Sequence, residues 1–162
     1  MIAQSGMAGP MADKPQVLLV VDDEEDILSG IKEYLAGALP GVQVATAGHG
    51  AQALERLSQG PVDLILTDYK MPGMDGLQFL LQARKVATGI PAVLMTAFPD
   101  MELAIVALND GRIQHFLTKP IEPVMLRDVV KVLLDERRAR QQREAALARS
   151  LQTMQEKAAK KR

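Results

Sequence analysis

Five polar residues in this 162-residue chain each close an apolar run: Asp22 and Asp23 after QVLLVV, Asp68 after VDLILT, Thr96 after PAVLM, and Lys119 after HFLT. Singly, each has an ordinary use. An acid after a strand commonly caps the next helix, a threonine hydroxyl can be structural, and a lysine can be solvated. Brought to one end of one sheet, the five form a chemical set. Clustered carboxylates repel one another unless a cation joins them. Hard oxygen ligands with open positions suit Mg²⁺, which keeps several waters and shares a phosphate. A carboxylate can attack phosphorus and form an aspartyl phosphate. Phosphoryl transfer asks mostly for positioning and for stabilisation of charge on the phosphoryl oxygens. Lys119 offers a second positive centre and Thr96 a hydroxyl donor. Asp68 is the natural acceptor, on a central strand opposite the acidic pair.

The surrounding pattern predicts elements that deliver this convergence. Gln16 to Val21 is a continuous apolar run, as expected of a strand buried on both faces. Ile27, Leu28, Ile31 and Leu35 follow at helical spacing until Leu39, Pro40 and Gly41 stop the helix. Val42 to Ala45 reads as a second strand. Ala51, Leu54 and Leu57 mark a second helix, closed by Gly60 and Pro61. Val62 to Thr67 is a third strand, followed by a loop from Lys70 to Gly76 dense in turn residues. Leu77, Leu80, Leu81 and Ala83 mark a third helix. Pro91 to Met95 predicts a fourth strand, Met101 to Leu108 a fourth helix, and His115 to Leu117 a short fifth strand. A fifth helix begins near Glu122 and carries Leu126, Val129, Val130 and Leu133. Five alternations of strand and helix predict an α/β fold, an open parallel sheet wound with helices on both faces. Ligands of such sheets sit beyond the carboxyl ends of the strands.

Composition narrows the function classes. Apolar residues make up 48% and aromatics 3%, so aliphatic side chains must fill the core. There is no cysteine, which excludes thiolate chemistry and suits a cytoplasmic location. Two histidines, His49 and His115, make a histidine-rich zinc site implausible. No apolar run approaches the roughly 20 residues of a membrane span. Residues 1–14 lack a basic start and a continuous apolar stretch, and are expected to be a disordered leader. The net charge of −1 hides an asymmetry: up to Leu134 there are 10 basic and 16 acidic residues, and from Asp135 onward 9 basic and 4 acidic. The expected organisation is a domain over residues 15–134 and a basic helical extension over 135–162.

Four separated segments then carry a resemblance: VVDDE at 20–24, DLILTDYKMPGMDG at 63–76, MTA at 95–97 and FLTKP at 116–120. In this order they resemble the receiver domain of a two-component response regulator, the CheY-like family. The resemblance covers roughly three quarters of the chain. It implies the flavodoxin-like strand order 2-1-3-4-5. It also implies that Asp68 is the phosphoacceptor, that Asp23 ligates Mg²⁺ directly and Asp22 through water, and that the backbone carbonyl of Lys70 is a further ligand. Thr96 would be the switch hydroxyl, Lys119 the phosphate-pairing lysine, and Phe116 the switch aromatic. The Lys119–Pro120 bond would be cis. The implied partners are a sensor histidine kinase or phosphotransfer protein as donor, and a downstream protein or an output domain as reader of the face built by the fourth helix, fifth strand and fifth helix. The resemblance also implies that hydrolysis is fastest when the residue two after the acceptor, or two after the switch hydroxyl, carries an amide or carboxylate that positions attacking water. Here those positions are Lys70 and Phe98, neither of which can accept a hydrogen bond from water, so slow self-dephosphorylation is expected.

No Gly or Pro interrupts the chain from Val124 to Arg162, so the fifth helix is expected to run on. Leu147, Leu151, Met154 and Ala158 follow a/d spacing over about two heptads, and a homodimer through this helix is one reading. Direct DNA binding by this extension is not favoured, because residues 135–162 hold no aromatics and acids are interspersed among the basic residues. The segment from Ala107 to Arg112 resembles receivers fused to cyclic-dinucleotide phosphodiesterases. Two other aspartyl or phosphate-handling classes compete. A phosphatase of the haloacid dehalogenase type needs an Asp-x-Asp motif, whereas Asp22 and Asp23 are adjacent. A flavodoxin-like flavin carrier needs a Ser/Thr/Gly-rich loop where Asp22 to Asp26 would repel phosphate.

Overall fold

The computed structural model describes residues 14–97, 109 and 113–161. The expected leader up to Asp13, the fourth predicted helix from Met101 to Leu108, and Phe98 lie outside the described residues. The elements in chain order are β1 (Gln16–Val21), α1 (Glu25–Ala38), β2 (Val42–Ala47), α2 (Gly50–Gln59), β3 (Leu64–Asp68), α3 (Gly76–Val86), β4 (Ala92–Thr96), β5 (His115–Thr118) and α4 (Pro123–Lys160). Here α4 is the helix expected from Glu122 onward. The strands form one parallel sheet in the order β2-β1-β3-β4-β5, a doubly wound α/β arrangement.

Every residue of β1, β3 and β4 is buried, which is why these strands read as unbroken apolar runs. Successive side chains go to opposite faces. Val17, Leu19, Val21, Ile65 and Leu94 pack with Ala53 and Leu57 of α2 and with Phe79, Leu80 and Ala83 of α3. Leu18, Val20, Leu64, Leu66, Val93 and Met95 pack with Leu28, Ile31 and Leu35 of α1 and with Leu126, Val130 and Leu134 of α4. Two inward positions differ from the sequence expectation. In α2 Ala53 is buried and Ala51 exposed, and in α3 Phe79 is buried while Leu81 is 44% exposed. Several apolar residues in each short helix fit more than one stripe, and packing against the sheet selects among them.

The sheet order places the ends of β1 and β3 side by side, with Val21 paired to Thr67 and Asp68 to Met95. The polar residues at the ends of β1, β3 and β4 therefore lie on adjacent strands of one sheet edge.

Candidate functional site at the strand ends

Asp68 is the last residue of β3 and is only 6% exposed, and Asp22 follows β1 and is fully buried. Asp23, beside it, is exposed. Carboxylate oxygens of Asp22, Asp23 and Asp68 lie within 4.8 Å of one another. Lys119 follows β5 and reaches across the sheet edge. Its Nζ stands 2.9 Å from Asp22 Oδ2 and 3.2 Å from Asp68 Oδ1. The other oxygen of Asp22, Oδ1, accepts a hydrogen bond from the Glu24 backbone N–H at 2.9 Å. Asp22 is thus fixed at both oxygens, as a fully buried carboxylate must be.

Local backbone geometry holds Asp68 in place. Tyr69 N–H donates to Met95 O at 2.9 Å and Lys119 N–H donates to Thr96 O at 2.8 Å, so sheet-like bonding continues past β3 and β5. The loop from Asp68 to α3 turns back tightly, and Gly76 N–H donates to Tyr69 O at 2.7 Å. A Cβ on Gly76 would collide with the Asp68 carbonyl oxygen and stand 3.1 Å from Leu94 Cδ1. Only glycine allows this closure. Gly73, with φ +78°, supplies the left-handed turn in the same loop. Helix α3 then starts with a capping box between Asp75 and Gln78. The Lys119–Pro120 bond is cis.

The electrostatics are strained in one direction. Burial, and next the Asp22 carboxylate, hold Asp68 above its ordinary value of 3.8, while Lys119 pulls it down. Burial alone would lower the Lys119 ammonium, but the hydrogen bond and charge of Asp22, then those of Asp68, outweigh it and hold Lys119 above 10.5. One ammonium against three carboxylates leaves two formal negative charges, which a divalent cation would neutralise. The donor set is all oxygen and one carboxylate is exposed, a fit to Mg²⁺ that leaves room for water and a phosphate oxygen.

The structure brings Asp22, Asp23, Asp68 and Lys119 together. Thr96 ends β4, is buried, and pairs in register with Thr118. Lys70 is exposed in the loop after Tyr69. Phe116 lies within β5, half-buried, paired in register with Leu94 and packed on the α2/α3 side of the core. It sits three residues before Lys119 along the strand, away from the acids. Gly76 was legible in the sequence only as a turn residue. Its contact with the Asp68 carbonyl is a three-dimensional fact that spacing does not carry.

Comparison with known proteins agrees with this geometry. The family described as the response regulator receiver domain matches residues 18–131. The chain is 34% identical over 126 residues to the transcriptional regulatory protein GlrR of Escherichia coli (strain K12), over 78% of this chain and 28% of GlrR. It is 36% identical over 142 residues to the cyclic di-GMP phosphodiesterase response regulator RpfG of Xanthomonas campestris pv. campestris (strain 8004), over 86% of this chain and 36% of RpfG. It thus spans about a third or less of the length of these curated relatives. Among solved structures, the signal receiver domain of an HD domain-containing protein from Pseudomonas fluorescens Pf-5 superposes with a TM-score of 0.74 at 27% identity, over 85% of this chain and 99% of that one. A CheY-like receiver domain protein from Methanospirillum hungatei JF-1 gives 0.71 at 28% identity, over 78% and 98%.

Proposed function

The chain belongs to the response regulator receiver domain family, and we propose that it is a signalling switch operated by phosphorylation of Asp68. One observation carries the proposal. Asp68 closes a central strand with its carboxylate within 4.8 Å of two further acids and 3.2 Å from Lys119 Nζ.

In the proposed reaction an Asp68 carboxylate oxygen attacks the phosphorus of a phosphohistidine on a histidine kinase or phosphotransfer protein. The O–P bond forms, the P–N bond breaks, and the imidazole leaves with the electron pair and is protonated. Bound Mg²⁺ would supply positive charge to the phosphoryl oxygens, held by Asp22, Asp23, Asp68 and the Lys70 backbone carbonyl. Lys119 turns from a carboxylate counter-ion into a phosphoryl counter-ion, because the new group carries more negative charge than the carboxylate it replaces. The Thr96 hydroxyl donates to a phosphoryl oxygen, and the Phe116 ring responds in the neighbouring strand. The output is recognition rather than turnover. A protein partner or output domain reads the surface of β5 and α4 in one of two states. GlrR and RpfG are named for transcriptional regulation and for cyclic di-GMP hydrolysis, and an output of either class is compatible with this switch. The proposed setting is the cytoplasm, and no helix among the described residues is long and apolar enough to cross a membrane.

The test is intact-mass measurement after incubation with a small phosphodonor and Mg²⁺. A single phosphoryl adduct is expected on the parent and none on Asp68→Asn. An adduct of equal yield on the variant would overturn the assignment.

A further inference from the structure

Helix α4 is 38 residues long, about 57 Å, and the domain covers only its first half. Leu126, Val130 and Leu134 are buried against the sheet. Farther on, Arg137 Nη1 donates to Gly89 O at 2.7 Å, and Gln141 Nε2 lies 3.4 Å from Asp63 Oδ1. Past that point every residue from 146 to 161 is exposed. This free stretch nonetheless carries an apolar stripe: Leu147, Leu151 and Met154 are 61%, 51% and 65% exposed. With Ala158 they continue an a/d pattern bounded by Glu144 at one end and Lys161 at the other.

We infer that a second copy of this chain covers the stripe, and that the two helices run antiparallel. The choice of occupant and direction rests on charge. In a parallel pair each a or d residue meets its own equivalent, so Glu144 would face Glu144 and Lys161 would face Lys161, both repulsive. In an antiparallel pair a residues meet d residues. One register sets Glu144 against Lys161 of the second copy, Leu147 against Ala158 and Leu151 against Met154, with the same layers repeated by the two-fold axis. The apolar layers are then closed at both ends by opposite charges. All of them lie beyond Gln141, so the pairing displaces no contact that α4 makes with its own domain.

The consequence is a specific geometry. The axis passes between residues 152 and 153, roughly 17 Å along the helix from Gln141, so the two domains stand on the order of 35 Å apart at opposite ends. Both acidic sites remain outside the interface and open to a phosphodonor. Two heptads make a short zipper, and the dissociation constant is expected on the order of tens of micromolar.

Sedimentation equilibrium of the full chain should give a weight-average mass that rises with concentration from the 17.6 kDa monomer toward twice that value at several hundred micromolar. Glu144→Lys and Lys161→Glu should each weaken association about tenfold or more, and the double reversal should restore it. The absence of native cysteine permits a direct orientation test under mild oxidation. Glu144→Cys and Lys161→Cys chains should cross-link when mixed and not when alone. A chain that stays monomeric at several hundred micromolar would overturn the proposal. So would self-cross-linking of Glu144→Cys, or single reversals without effect, because both indicate a parallel pair.

Discussion

Lys119 Nζ stands between Asp22 Oδ2 and Asp68 Oδ1, at 2.9 and 3.2 Å, so one ammonium serves both carboxylates. Before phosphorylation this bridge is structural, and in the proposed reaction it becomes catalytic. Removing the ammonium leaves Asp22, with no exposed surface, facing Asp68 without a counter-ion. Lys119→Met should therefore destabilise the metal-free protein by about 3 kcal/mol, in the range for breaking a buried pair from one side. Chemical denaturation in a metal chelator at low salt measures this. Added Mg²⁺ should recover part of the loss, since a second cation can serve the same carboxylates. An unchanged denaturation midpoint would mean that the bridge carries no stability.

The Asp68 carboxyl gives a pH signature. A carboxyl held above its unfolded value binds its proton more tightly in the folded state. Its contribution to stability is then present below about 3.8 and is lost as pH rises through the folded value. At neutral pH ionised Asp68 thus destabilises the metal-free domain. Asp68→Asn should be more stable than the parent at pH 7, and the gap should widen as pH rises from about 4. Mg²⁺ should narrow it by stabilising the parent alone. Asp23→Ala should abolish most of that metal effect, read by thermal unfolding with and without Mg²⁺. A gap that shrinks with rising pH contradicts the sign.

Gly76 is tested by a single methyl. Gly76→Ala forces a Cβ onto the Asp68 carbonyl oxygen and within 3.1 Å of Leu94 Cδ1. A loss of roughly 2–3 kcal/mol is expected from overpacking against backbone, together with slower phosphorylation of the displaced acceptor. Gly30→Ala is the control: it lies inside α1 with nothing within 4 Å of the added carbon, and should gain up to about 1 kcal/mol from helix propensity. Equal thermal shifts for the two variants would remove the close-approach argument.

The resemblance to receiver domains assigns the positioning of attacking water to the residues two after the acceptor and two after the switch hydroxyl, which in this sequence are Lys70 and Phe98. The Lys70 ammonium can donate but not accept a hydrogen bond, and a phenylalanine side chain does neither, so neither residue type is suited to orienting water. Self-dephosphorylation should take minutes to hours as an order of magnitude. Decay of the adduct after removal of the phosphodonor measures it. Lys70→Asn with Phe98→Glu should shorten the lifetime at least severalfold, and a parent lifetime of seconds would refute the account.

Much of this was readable from the residue order, for a physical reason. A strand buried on both faces is predominantly apolar, so the polar residue that closes the run marks the sheet edge. Asp22, Asp68 and Thr96 are legible in that way. Alternation of strand and helix fixed the parallel sheet. Other features depend on which side of a short helix is chosen. Ala51 and Leu81 are as apolar as Ala53 and Phe79, and only packing against the sheet decides between them. The bridging position of Lys119 and the closeness of Gly76 to Asp68 join residues separated in sequence, and periodicity holds no record of them. The helix predicted from Met101 to Leu108 and Phe98 lie outside the described residues.

The central claim is that Asp68 and no other residue takes the phosphoryl group. Borohydride reduces an aspartyl phosphate to homoserine, which marks the acceptor permanently. The full chain should be phosphorylated with a small phosphodonor and Mg²⁺, reduced, digested and sequenced by tandem mass spectrometry. The account predicts homoserine at position 68 and at no other acid, with none in a sample lacking Mg²⁺ or the donor. Homoserine at Asp22 or Asp23 with Asp68 intact, or no reduced residue despite a measured phosphoryl adduct, would contradict it.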